Sequence, residues 1–129
     1  VLSVDKFRDD QVMQLQYLED TKTIKRKYGL QLWDYPKENT FKERVARVKE
    51  LMKLEDEKKM QAGIQQMRED SLLMVDRLFV GKDFNKNVGL FIRDDSGNQR
   101  IKLYIDKNND PRLKFFDDEG KVIHAICCN

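Results

Sequence analysis

From Gly89 to Ala125, apolar and polar positions alternate in short runs, and each run ends in Asp before a few polar residues and a turn former. The turns read Asp94-Asp95-Ser96-Gly97, Asp106-Lys107-Asn108-Asn109 and Asp117-Asp118-Glu119-Gly120. Between the first two, Ile101, Leu103 and Ile105 fall on one side of an extended chain, and Lys102 and Tyr104 on the other. In the next run Leu113 and Phe115 alternate with Lys114 and Phe116. Period-two alternation bounded by Asp, Asn and Gly predicts an antiparallel β-meander with strands near 88–93, 100–105, 112–116 and 121–127. One face is apolar and the other amphipathic with aromatics. The apolar face therefore needs a helix or a second sheet to cover it.

The first eighty residues carry a different rhythm. Ser3 is a good N-cap, and Leu2 with Phe7 has the spacing of a hydrophobic staple. Asp5, Asp9 and Asp10 precede the apolar stripe, Lys25, Arg26 and Lys27 follow it, and Gly29 comes next. This is the charge order a helix dipole favours, and it predicts a helix over about 4–28. Trp33, Tyr35 and Pro36 then mark an aromatic loop. Thr40 and Glu43 have capping-box spacing, no proline follows before Gly81, and a second helix is predicted over 40–80. Phe41, Val45, Val48 and Met52, then Met60, Ile64, Met67, Ser71, Met74 and Leu78, step by fours and threes around a stutter at Asp56. That is coiled-coil spacing. The expected fold is α+β: a helical region over 1–80, a polar hinge at 82–87 and a four-stranded antiparallel β-meander over 87–129.

Charge refines this picture without adding chemistry. Of 129 residues 37% are charged, yet 25 Lys+Arg nearly balance 23 Asp+Glu for a net +2. The balance is even along the chain, 16 against 15 over 1–80 and 9 against 8 over 81–129. A nucleic-acid binder or a membrane-surface helix shows a basic stripe, so neither partner is expected. The one local cluster, Lys22, Lys25, Arg26, Lys27 and Tyr28, is explained by helix-dipole complementarity. No apolar stretch is long enough to span a bilayer, so membrane attachment is expected only through a segment preceding Val1.

Residues 89–122 also carry a longer pattern. Gly89, Leu90, Ile92, Asp94, Gly97, Arg100, Leu103, Ile105, Asp106, Pro111, Leu113, Phe115, Asp117 or Asp118, Gly120, Lys121 and Val122 fit it, and Asn109 stands where glycine is usual. The segment resembles a recurrent bacterial β-segment of mostly uncharacterised proteins, many of them anchored by an N-terminal hydrophobic stretch. The resemblance implies a bacterial protein of the cell envelope, with the cytoplasm as the alternative, and no activity.

Reactive groups do not converge in the sequence. Asp94, Asp95 and Asn98 lack the ligand spacing of a calcium loop and suit a turn that bonds its own backbone. Asp117, Asp118 and Glu119 are consecutive turn residues, whereas acid–base pairs face each other across a cleft. His124, Cys127 and Cys128 are too few for structural zinc and lack the context of a nucleophile. No enzyme, metal or cofactor is expected. The expectation is a structural or interaction protein, homo-oligomeric through its helices, with a protein partner as a further prospect. The alternative is a small binding module holding a glycan or peptide on the meander's outer face. The interaction surface expected in either case is Trp33, Tyr35, Phe91, Tyr104 and Phe116.

Overall fold

A computed structural model describes residues 2–5, 11–38 and 40–127. Eight strands form one antiparallel sheet in unbroken chain order. They are β1 (Leu2–Asp5), β2 (Gln11–Asp20), β3 (Lys25–Asp34), β4 (Val75–Lys82), β5 (Val88–Arg93), β6 (Gln99–Ile105), β7 (Pro111–Phe116) and β8 (Val122–Cys127). Two helices, α1 (Phe41–Met52) and α2 (Glu57–Glu69), lie between β3 and β4. The expected coiled-coil helices leading into a four-stranded meander are therefore overturned. The meander strands are the last four of eight, and the helices are short.

The expected helix over 4–28 is β2 with the flanking parts of β1 and β3. Met13, Leu15 and Tyr17 are spaced by two, and so are Tyr28, Leu30 and Leu32, with which they pair in register. Asp20 reverses the chain: its carboxylate accepts the Lys22 N–H at 2.9 Å and the Thr23 hydroxyl at 2.7 Å. The charge order that mimics a helix dipole is cross-strand pairing, with Arg26 opposite Glu19 and Nε–Oε1 at 3.3 Å. Gly29 is no helix stop but faces Gly81 across β3 and β4. The Leu2–Phe7 staple and the early-turn roles of Asp9 and Asp10 involve positions outside the described residues.

The expected helix over 40–80 is interrupted twice. Lys53 to Asp56 turns the chain, and Asp56 caps α2 by accepting the Lys58 N–H at 2.9 Å. The stutter in the seam is this reversal. Ser71, at φ 58°, ends α2, and the Leu72 N–H reaches back to the Met67 carbonyl at 2.9 Å. Thr40 makes no side-chain cap, and its hydroxyl donates to the Lys37 carbonyl instead. The two helices, 12 and 13 residues long, fold on each other in place of any coiled coil. Gly63 makes room for Leu51, and Arg47 joins α1 to Asp70 at 2.8 Å.

This hairpin does not roof the sheet. Among the described residues no Cα of either helix lies within 8 Å of a strand's. Its attachment is Tyr35, whose hydroxyl contacts the Met74 sulfur at 3.7 Å and whose ring lies 4.4 Å beneath the Arg44 guanidinium. Tyr35, Met67 and Leu72 form a small core there, separate from Phe79 and Phe91 on the sheet. The strand order puts the hairpin at the same end as the β5–β6 and β7–β8 turns, and the β2–β3, β4–β5 and β6–β7 turns at the other.

Candidate functional site

Four turns repeat one geometry. Asp83, Asp94, Asp106 and Asp117 each donate their N–H to the carbonyl four residues on and accept the N–H of the third residue after them. One carboxylate oxygen of each accepts two further backbone N–H groups, at 2.8–3.1 Å. The third residue after the Asp has positive φ: Lys86, Gly97, Asn109 and Gly120. Two arginines reinforce the arrangement, Arg112 on Asp106 at 2.6 Å and Arg100 on Asp94 at 3.3 Å. The Asp106 carboxyl is held below its usual range first by Arg112 and then by the Asp110 and Asn108 N–H groups. Asp94 is held down by the Asn98 N–H, the Asn98 amide, the Ser96 N–H and Arg100.

These turns align the strands so that one face is apolar from edge to edge. The row Leu2, Leu15, Leu30, Val80, Leu90, Leu103, Leu113 and Ile126 crosses all eight strands without a polar member. Beside it run Val4, Met13, Leu32, Leu78, Ile92, Ile101, Phe115 and finally His124. A third row, Tyr17, Tyr28, Lys82, Val88, Ile105 and Pro111, crosses six strands. None of these side chains is buried. Leu15, Val80 and Leu103 are 49, 41 and 50% exposed. A shallow hollow of about 390 Å³ lies on this face between Val80, Val88, Leu103 and Pro111.

The opposite face is built from glycines, aromatics and cations. Gly29, Gly81 and Gly89 are successive cross-strand partners, followed by Tyr104 and Arg112. A Cβ on Gly29 or Gly81 would strike the facing backbone, and both have φ near 155°. Phe79 reaches over Gly81, and Phe79, Phe91 and Tyr104 stack in sequence with centroids 6.0 Å apart. Lys27 Nζ sits 4.5 Å above the Phe79 ring and Lys102 Nζ 5.6 Å from that of Phe116. Phe79 and Phe91 are thus buried by neighbours on their own face.

The five residues singled out from the sequence do not form one patch. Phe91 and Tyr104 stack, but Phe91 is buried. Phe116 and Trp33 share the polar face at other points, half-buried, with Trp33 opposite Asp76. Tyr35 belongs to the helical cluster. Phe79 completes the aromatic row. It falls inside the expected long helix, although the short apolar run Leu78-Phe79-Val80 closed by Gly81 is also a strand signal. Lys25 and Lys27 point to the polar face while Arg26 and Tyr28 take the other, so the basic cluster is divided.

Other candidate chemistry is dispersed. His124 is on the apolar face beside Phe115, and Cys127 lies opposite Arg112 on the polar face. Cys128 lies outside the described residues. The Asp94 carboxylate is engaged by its own turn, and Asp118 and Glu119 are exposed. Among the described residues no group of three or more His, Cys, Asp or Glu is placed to hold a metal, and no helix is long and apolar enough to cross a membrane. Comparison with protein-family models, curated proteins and solved structures finds no match to this chain.

Proposed function

We infer that the chain is a non-catalytic interaction protein that works as a dimer, two copies packing their sheets through the apolar face. The observation that carries this reading is the apolar row from Leu2 to Ile126, which crosses every strand and, among the described residues, lies under no other element. Water-exposed apolar patches of such extent mark association surfaces. Seven strand intervals at ~4.8 Å make the face roughly 34 Å wide, and three rows make it about 20 Å deep. That gives ~700 Å² per copy, or about 1,400 Å² in all, within the range of stable interfaces. Sheets pack face to face at ~10 Å with their strands nearly aligned, and such packing needs uncharged inner faces. Here the first row has no charged member, His124 ends the second on the last strand, and Lys82, third of six in the third row, is the last residue of β4, so its ammonium can reach the rim of the face. Association thus belongs to the sheet and not to the helices.

Sedimentation equilibrium tests the reading. Wild-type protein sediments as a dimer. Leu103→Lys keeps the circular dichroism of the monomer fold, because Leu103 is half exposed in a single copy. In the dimer it buries an unpaired charge, costing about 3 kcal/mol or more and raising the dissociation constant at least ~100-fold. A wild-type protein that is monomeric at every concentration, or a variant that dimerises as well, rejects the proposal.

A further inference from the structure

The nearly neutral composition conceals a separation of charge. The turn carboxylates accept their own backbone N–H groups, whereas strand-borne cations gather on the polar face. At the end of the sheet away from the helices, a groove of about 550 Å³ runs between the β4–β5 and β6–β7 turns. Its cations are Lys25, Lys86, Lys107, Arg112 and Lys114, and its only lining carboxylate is Asp106. Asp106 is already matched by Arg112 at 2.6 Å. Among the described residues Lys86, Lys107 and Lys114 meet no carboxylate. Lys25 stands opposite Asp20 in the β2–β3 register. Two rings line the same groove, Phe84 at the turn and Tyr104 at the end of the aromatic row.

We propose that this groove binds single-stranded nucleic acid, its phosphates held by the lysines and a base stacked on Phe84 or Tyr104. Lysine is a point charge that suits phosphate without fixing direction, and rings accept any base, so binding is independent of sequence. An acidic peptide would use the charges but leave the rings idle. The groove lies on the face opposite the dimer surface, so either proposal stands without the other.

Fluorescence anisotropy of the full chain with a labelled oligothymidylate of about a dozen nucleotides, matched to the site sizes of such proteins, tests it. Binding is detected at low salt and weakens roughly 20–50-fold between ~50 and ~200 mM, as expected for three or four neutralised phosphates. The pair Lys107→Glu and Lys114→Glu weakens it at least ~10-fold, while Lys58→Glu with Lys59→Glu on α2, equal in charge change, shifts it less than about 2-fold. Phe84→Ala, which alters no charge, weakens it roughly 5-fold or more. Equal losses from the two lysine pairs, no effect of Phe84→Ala, or displacement of the oligonucleotide by polyglutamate as readily as by unlabelled oligonucleotide overturns the proposal.

Discussion

Ile24 holds φ 56°, a left-handed conformation that a β-branched residue seldom adopts, and its side chain is 73% exposed. It closes the β2–β3 turn, the position where a glycine carries no such cost. Ile24→Gly is therefore stabilising by about 1 kcal/mol, read as a higher urea midpoint with unchanged slope; a lower midpoint contradicts the strain. Gly81 has the opposite sensitivity. Its added Cβ would meet the Tyr28 carbonyl and Gly29, both backbone, which cannot step aside as a side chain does. Gly81→Ala destabilises by roughly 2 kcal/mol, and a neutral result would mean that β3 and β4 separate there with ease.

The Asp turn recurs at four of the sheet's reversals, and in two of them, at Asp94 and Asp106, the carboxyl is held below its usual range. Asp94 and Asp106 have folded-state affinities for protons below the unfolded value of about 3.9, so the unfolded chain protonates first as pH falls. The stability they contribute is complete above that value and disappears as pH drops through their folded pKa. Asp94→Asn with Asp106→Asn is less stable near neutrality but loses less between about pH 4 and pH 2, measured as urea midpoints; parallel curves would show that these turns do not govern acid unfolding. Three such turns were legible in the sequence because Asp, Gly and Asn sat between alternating runs. The Asp83 turn resembled a hinge because Lys86 occupies the left-handed position, and the Asp20 turn was hidden where Ile24 does so. The long helix was a misreading with a physical origin: steps of four are even, so they keep residues on one face of a strand as well as of a helix. Leu78 and Val80 share a face, and this alternation was outweighed by the capping signals upstream. Phe91 and Tyr104 fall in the alternating runs and are expected only as an interaction surface, whereas Phe79 and Lys27, which join them on the polar face, fall inside the two expected helices.

The whole molecule divides into a broad sheet and a small helical hairpin joined through Tyr35 and Met74. The hairpin's buried apolar side chains are Tyr35, Met67 and Leu72, whereas β4 and β5 are flanked by strands on both sides. Hydrogen exchange followed by mass spectrometry is therefore expected to show 41–69 exchanging by local opening before 75–82 and 88–93, and the reverse order contradicts this division. The aromatic and cationic assembly of the polar face needs strands from both sides of the hairpin, Lys27 from β3 and Phe79 from β4. Because every strand bonds only to its neighbours along the chain, the architecture is extensible like a folded ribbon. Duplicating one turn-and-strand unit widens it but sends everything downstream in the opposite direction. Duplicating two restores each later reversal to its original end, so growth by pairs leaves the helices and the lysine-lined groove at the ends they now occupy.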